Sequence, residues 1–153
     1  MTSCSPEIVR PVNKLNFVSQ DEIKRFLNAN ISVIEQAELF ATACRINTLY
    51  MIAKAGSGHI GTSFSCLDIL SWLYLNEIDR SSDGQPDNIY FSSKGHDAPA
   101  LYSVLTALGK LEFDLVHRLR RIDGLPGHPD VGTDHIVTNT GSLGMGVSKA
   151  KGM

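Results

Sequence analysis

Residues 91–100 read Phe-Ser-Ser-Lys-Gly-His-Asp-Ala-Pro-Ala, and the fold prediction starts from this segment. The short apolar run at 88–92 favours a buried strand, and Pro99 stands at a first-turn position where a helix can begin. His96 therefore lies between a predicted strand and a predicted helix. In open α/β sheets, ligands bind at such junctions, outside the carboxyl ends of the strands.

The Gly-His pair of this segment recurs in two other predicted loops, so that His59 and His128 also follow a glycine. Glycine allows turns that are closed to other residues and lets a ligand approach the main chain. Imidazole can bind an anion, donate to a sugar hydroxyl or transfer a proton near neutral pH. We therefore predict a site built from three loops. Structural or exposed histidines and a three-histidine zinc site are the alternatives that the residues leave open.

Composition indicates an ordinary soluble globular domain, since 42% of the 153 residues are apolar and 20% are charged. A net charge of −2 without a basic run argues against nucleic acid as a partner. No stretch approaches the roughly 18 apolar residues that cross a membrane. Three cysteines without C-x-x-C spacing predict reduced thiols, so we expect a cytoplasmic protein.

Hydrophobic periodicity predicts a helix-rich α/β fold that contains the first strands of a parallel sheet. Residues 1–18 lack a sustained period and predict an extended or poorly ordered arm, whereas residues 19–153 form the domain. The predicted helices are 19–30 (capped by Ser19), about 34–55 (ended by Gly56), 66–77 (largely buried, capped by Thr62 or Ser65), 98–108, 112–121 and one beginning at 147, and the predicted strands are 88–92 and 135–139. The predicted inner face of the second helix carries Ile34, Ala37, Ala41, Cys44, Thr48 and Ile52, and the helix 112–121 exposes Arg118, Arg120 and Arg121.

The turn after the second predicted strand carries Gly141, Gly144 and Gly146. Such a cluster can be a loop without special function. Its place before a helix favours a ligand site, because backbone amides there suit a phosphate or a ring pressed against the main chain.

Four motifs, taken together and in order, resemble the N-terminal, thiamin-diphosphate-binding domain of transketolase. They are Gly-Ser-Gly-His at 56–59, Ser-Lys-Gly-His at 93–96, Gly-His-Pro at 127–129 and Thr-Gly-Ser-Leu-Gly-Met-Gly at 140–146. The resemblance runs from about Ala41 to Met153. It implies an incomplete form of the three-layer thiamin-diphosphate-binding fold.

The resemblance also implies an activity, which is the transfer of a two-carbon ketol unit between sugar phosphates. It places His96 on the cofactor diphosphate, and His59 and His128 as catalytic residues near substrate hydroxyls and the reacting centre. Gly141, Ser142 and Leu143 are then expected to bind the cofactor, with Gly141 and Leu143 against its rings.

The sequence departs from the family pattern in several ways. Ile60 replaces a usual proline, and Asp97 replaces a usual small residue. The Gly-Asp-Gly motif and the asparagine that hold the family's Mg²⁺, and the glutamate of the pyrimidine-binding domain, are absent from these 153 residues. We therefore expect a transferase segment that is inactive alone and contains no metal ligand. It would need a pyrimidine-binding chain or further sequence, or would act as a homo-oligomer. The alternative is a non-catalytic scaffold or interaction domain.

Overall fold

The computed structural model of the chain describes residues 15–78 and 88–153. This part of the chain contains six α-helices and one short 3-10 helix, Phe113–His117. The α-helices are α1 (Gln20–Leu27), α2 (Val33–Ala55), α3 (Ile60–Phe64), α4 (Leu67–Asn76), α5 (Ala98–Ala107) and α6 (Gly146–Gly152). Within the described ranges, no helix is long and apolar enough to cross a membrane.

The ends of α1 and α2 follow the capping pattern of the sequence. The Ser19 hydroxyl accepts a hydrogen bond from the Glu22 amide at 3.3 Å, which confirms the predicted start of α1. Ser32 and Glu35 form a reciprocal capping box at the start of α2. Gly56 then ends α2 in the left-handed conformation, with φ +69°, as predicted.

The core lies between α2, α4 and α5, and all ten residues of α5 are buried. The predicted inner face of α2 is confirmed at Ala37, Ala41, Cys44, Thr48 and Ile52, which are buried, but Ile34 is 63% exposed. The Ser103 hydroxyl of α5 donates to the carbonyl oxygen of Cys44 at 2.9 Å. Because α5 is enclosed, the turn that precedes it is held against the core.

Two helical predictions need correction. The segment between α2 and α4 forms an additional helix, α3, and α4 has no side-chain cap from Thr62 or Ser65. The prediction of a largely buried α4 holds for one face only, since Ile69 is 64% and Trp72 40% exposed.

The predicted helix 112–121 is reduced to the 3-10 helix Phe113–His117. Arg120 has φ +59°, a left-handed conformation that an α-helix does not accommodate. The Arg120 amide donates to the Leu125 carbonyl oxygen at 2.7 Å, so the chain closes into a turn instead.

The two predicted strands are not present among the described residues, and the structure does not confirm the α/β sheet. Residues 88–92 are extended without a ladder partner in the described ranges. In the second segment, His135 has φ +63° and the Ile136 amide donates to Thr133, which is a turn. An apolar run forms a strand only where a neighbouring strand accepts its hydrogen bonds.

Of the predicted N-terminal arm, residues 1–14 lie outside the described residues. The remaining part is fixed by Asn47 of α2, whose side chain accepts from the Val18 amide at 2.7 Å and donates to its carbonyl oxygen at 3.0 Å. The Phe17 ring packs against Tyr50 and His117, with centroid distances of 5.1 Å in both pairs.

The turn before α5 and the turn before α6 are in direct contact. Gly95 has φ +63°, and a Cβ atom there would lie 2.3 Å from Thr140 Oγ1 and 2.9 Å from the Gly141 nitrogen. The Thr140 amide donates to the Pro129 carbonyl oxygen at 3.2 Å. The segments that carry His96 and His128 are therefore held together by a contact that only glycine permits.

We predict that Gly95→Ala destabilises the fold by about 3 kcal/mol, because it combines a left-handed alanine with overpacking against Thr140. Urea unfolding monitored by circular dichroism measures the loss. Gly61→Ala is the matched control, since a Cβ at Gly61 meets nothing within 4 Å and the residue lies in α3. Equal unfolding midpoints for the two variants would contradict the proposed contact.

Candidate functional site

The structure brings the three predicted histidines together. The centroid of the His96 ring lies 4.8 Å from that of His59 and 5.0 Å from that of His128. Both contacts are edge-to-face, with interplanar angles of 80° and 81°. His96 is therefore the central ring of a three-imidazole cluster, here called the histidine cluster.

The backbone determines which nitrogen of His96 carries a proton. His96 Nδ1 lies 2.6 Å from the carbonyl oxygen of Lys94. A carbonyl oxygen only accepts, so Nδ1 is the donor and the neutral ring keeps its lone pair on Nε2. Nε2 can therefore accept a proton and, once protonated, donate to an anion.

His128 is held by its backbone and is kept neutral by its surroundings. Its carbonyl oxygen accepts from the Tyr102 hydroxyl of α5 at 3.2 Å. Partial burial lowers the pKa of His128, and the positive charges of His96, Arg120 and His59 lower it further. Its Nε2 atom is buried and has no hydrogen-bond partner among the described residues. A neutral ring with an uncommitted nitrogen is suited to accept a proton.

A buried polar network lies beneath the histidine cluster. Asp97 is only 2% exposed, and its Oδ2 accepts from the Ser92 hydroxyl at 2.7 Å and lies 3.7 Å from Lys94 Nζ. Lys94 also donates to the Thr62 carbonyl oxygen of α3 at 3.3 Å. The network links the turn of His96 to the helix that follows His59. The Asp97 side chain, which departs from the family pattern, therefore points inward, and its charge is offset by Lys94.

The predicted cofactor residues lie in one turn beside His128. A Cβ on Gly141 would be 3.6 Å from His128 Cδ2, so this backbone passes close to the ring. The Ser142 side chain is exposed, and the backbone carbonyl oxygen of Ser142 accepts from the Met145 amide at 3.2 Å. The Leu143 side chain is 75% exposed. The turn thus joins the histidine cluster through Gly141, while Ser142 and Leu143 face outward from the described fold.

The uncommitted polar atoms of this site suit a ligand that carries phosphate and hydroxyl groups, because an imidazole nitrogen accepts from a hydroxyl when neutral and donates to an anion when protonated. His96 Nε2 has no protein hydrogen bond, and His128 Nε2 and Thr140 Oγ1 are buried without partners within the described ranges. Buried polar atoms are ordinarily satisfied, so such orphans indicate a missing partner. These residues therefore fit thiamin diphosphate.

The same residues do not fit a metal ion. No group of three or more His, Cys, Asp or Glu side chains in the described part of the chain is placed to hold one, which gives no support to the zinc alternative. The only described carboxylate in this network is that of Asp97, whose Oδ2 is engaged by Ser92 and Lys94 and whose Oδ1 is buried without a hydrogen-bond partner within the described ranges. No Mg²⁺ ligand is assigned.

Sequence reasoning misses Arg120, Thr140 and the role of the Lys94–Asp97 pair. Arg120 is exposed, as the helical pattern predicts, and its guanidinium lies against Gly127, where a Cβ would be 2.9 Å from Arg120 Cζ. The glycine at 127 and the non-periodic residues 118–125 are the signals that point to a turn. Neither specifies a contact without the backbone path.

Comparison with known proteins shows the family to which the chain is similar. Residues 36–153 match the thiamine diphosphate binding domain of transketolase. The chain is 42% identical over 118 residues to the 6-deoxy-6-sulfo-D-fructose transketolase subunit of Clostridium sp. (strain MSTE9), covering 74% of this chain and 43% of that relative. It is 34% identical over 125 residues to one of the subunits of apulose-4-phosphate transketolase from Phocaeicola vulgatus, covering 78% and 44%.

Human transketolase is 36% identical over 117 residues, which cover 74% of this chain and 19% of the human protein. The chain thus spans less than half the length of these curated relatives. The family match nevertheless covers most of the chain, including all three members of the histidine cluster and the glycine turn. The chain belongs to the transketolase family, as a thiamine-diphosphate-binding N-terminal domain.

Proposed function

We propose that the chain forms the diphosphate-binding part of a transketolase-type site, in which a ketol unit passes between sugars that carry an anionic group. The observation that carries this proposal is the histidine cluster, in which rings from three separate loops lie within about 5 Å of one another. No structural need of the core explains the grouping, because His59 is exposed and lies outside α2 and α5.

His96 would hold the cofactor diphosphate through Nε2, because Nδ1 is committed to the Lys94 carbonyl oxygen. Thr140 and Gly141 would border the cofactor, and the exposed Leu143 side chain offers an apolar surface to a ring. Thiamin diphosphate would supply the electron sink that stabilises a carbanion. The protein would supply orientation and proton transfer.

His128 and His59 would handle the substrate hydroxyls. Neutral His128 can accept a proton from a hydroxyl through Nε2, and the neighbouring positive charges that lower its pKa favour release of that proton afterwards. The exposed His59 can donate to or accept from a hydroxyl at the opposite side of His96.

Substrate and partner are inferred from the relatives. Their names specify a sulfonated sugar for one and a sugar phosphate for the other, and both are named as subunits. The 153 residues hold no Gly-Asp-Gly motif, and the described residues show no metal set. We therefore propose that Mg²⁺ and the pyrimidine ring are held by other polypeptide and that the chain alone is inactive. The free thiols of Cys44 and Cys66 favour a cytoplasmic location, which we also propose.

Calorimetry with thiamin diphosphate and Mg²⁺ tests this proposal when combined with a ketol-transfer assay. We expect weak cofactor binding and no transfer by the chain alone, and both tight binding and transfer after mixing with a pyrimidine-binding partner chain. In the mixture, His96→Asn should weaken cofactor binding at least about tenfold, the size of a lost charge-assisted hydrogen bond.

His135→Asn is the matched control, since His135 is exposed, lies outside the histidine cluster and has a left-handed φ that asparagine tolerates. Stoichiometric tight binding by the isolated chain would refute the need for a partner. Failure of the mixture to bind cofactor or transfer ketol units would favour the scaffold role instead.

The lowered pKa of His128 predicts a dependence of stability on pH. The unfolded chain, with an ordinary histidine pKa of about 6.5, takes up this proton before the folded chain does. The free energy of unfolding should therefore fall as the pH drops below about 6.5. At higher pH, where the ring is neutral in both states, this pH dependence should vanish. Imidazole NMR titration and urea unfolding at several pH values measure both effects.

His128→Asn should reduce this pH slope without abolishing it, because burial and the Lys54 charge also lower the pKa of His117. If His128 titrates at or above the ordinary value, the described environment of the ring is wrong.

A further inference from the structure

The Asp97 side chain does not make the bond that its position favours. Asp97 directly precedes α5, where an aspartate normally accepts a hydrogen bond from an amide of the first helical turn. No amide of α5 donates to this carboxylate. The residue is only 2% exposed, and its carboxylate turns back to Ser92 and Lys94 instead. The side chain is therefore committed to the turn that carries His96.

Two donors converge on one oxygen of the Asp97 carboxylate. The Ser92 hydroxyl donates to Oδ2 at 2.7 Å, and Lys94 Nζ lies 3.7 Å from the same atom. The other oxygen, Oδ1, is buried without a hydrogen-bond partner within the described ranges. The cost of removing charges from water can exceed the attraction between them, so a buried ion pair is weak evidence for stability. A role in fixing the geometry of the turn accounts for the pair better.

Lys94 connects this carboxylate to the His96 ring. Its ammonium group lies beside Asp97 and also donates to the Thr62 carbonyl oxygen of α3 at 3.3 Å. Its own main-chain carbonyl oxygen lies 2.6 Å from His96 Nδ1. The hydrogen bond that one ring nitrogen makes decides which tautomer a histidine adopts. Anchoring the lysine side chain therefore fixes the residue whose carbonyl oxygen selects the His96 tautomer.

A glycine separates the lysine from the histidine. Gly95 adopts φ +63°, which permits the turn, but glycine also has more backbone freedom than any other residue. The contacts of Asp97 with Ser92 and Lys94 join the two sides of Gly95. They therefore restrict this freedom where a rotation would turn the Lys94 carbonyl oxygen away from the ring.

We propose that Asp97 is a positioning residue, which holds Lys94 so that the Lys94 carbonyl oxygen keeps His96 in the Nδ1–H tautomer and leaves Nε2 for the diphosphate. The identity of the ligand rests on the proposed function, whereas the tautomer is a property of the chain itself. Because the family pattern has a small residue at position 97, this restraint is a feature of this chain.

Ring ¹⁵N NMR of the full chain measures the tautomer, since a protonated ring nitrogen and a bare one differ in chemical shift. At about pH 8 the rings are neutral. Asp97→Asn keeps the size of the side chain and an oxygen that accepts from Ser92, but it lacks the charge that attracts Lys94. The ratio of the Nδ1–H to the Nε2–H form of His96 should fall about threefold or more, the size of a partly exposed ion pair.

Asp134→Asn is the matched control, because Asp134 also neighbours a histidine in the sequence but is exposed. It should change the His96 ratio by less than about 1.5-fold. A wild-type His96 in the Nε2–H form overturns the inference. A folded Asp97→Asn chain with the wild-type ratio overturns it as well, and a lowered Tm in that chain would then assign Asp97 a structural role.

A second set of variants tests whether Asp97 acts through Lys94. Lys94→Met keeps the carbonyl oxygen and removes the ammonium group, so adding Asp97→Asn to it should not change the His96 ratio further. An equal effect of Asp97→Asn with and without the lysine overturns the inference. The double variant buries no unpaired charge and decides the matter if a single variant does not fold. Its ratio should be about threefold below wild type, and an unchanged ratio contradicts the proposal.

Cofactor titration in the presence of the partner chain distinguishes this inference from the proposed function. Asp97→Asn should weaken thiamin diphosphate binding about twofold to fivefold, which is less than the loss expected for His96→Asn. Added to His96→Asn, it should cost nothing more, because it acts through that ring. Wild-type affinity in Asp97→Asn overturns the role in binding. Absence of cofactor binding by the wild-type mixture counts against the proposed function, and the tautomer ratios still decide whether Asp97 positions His96.

Discussion

The missing side chain of Gly95 is the constraint on which the site depends. With φ at +63° and Thr140 Oγ1 only 2.3 Å from the position of a Cβ, the turn before α5 can accept no other residue without moving the turn before α6. Thr140 is bonded in turn to Pro129, the residue after His128. Ser93 adds a second link, because its hydroxyl accepts from the Gly146 amide at 3.0 Å. Close packing of these turns thus places His96, His128 and Gly141 in one region, and the enclosed α5 fixes that region to the core.

Electrostatics give the site its chemical character. Three imidazoles and the Arg120 guanidinium converge there, whereas the buried Asp97 carboxylate is offset by Lys94 beneath them. Partial burial and the positive charges around it lower the pKa of His128, so this ring stays neutral at pH 7 and keeps a proton-accepting nitrogen available. A bound anion would reverse this balance and favour protonation. The arrangement thus suits both functions that the proposal requires, which are anion binding and proton transfer.

Local sequence predicted the helices that depend on local chemistry. The Ser19 cap, the Gly56 stop and Pro99 in the first turn of α5 each act within a few residues, and each is confirmed. The Gly-His pattern correctly indicated loops that meet, because glycine at such positions reports a tight turn or a close approach. The predicted strands depend on hydrogen-bond partners elsewhere in the chain, and periodicity carries no information about them. Arg120 and Asp97 could not be assigned for a similar reason, since their roles are set by Gly127, Ser92 and Lys94 across a folded turn.

The central claim is that close packing of glycine turns assembles the histidine cluster. Nuclear Overhauser measurements between assigned histidine ring protons in the full chain test it most directly. The account predicts cross-peaks from the His96 ring to both His59 and His128, consistent with centroid distances of 4.8 and 5.0 Å. A folded chain in which His96 shows no cross-peak to either ring would contradict the account.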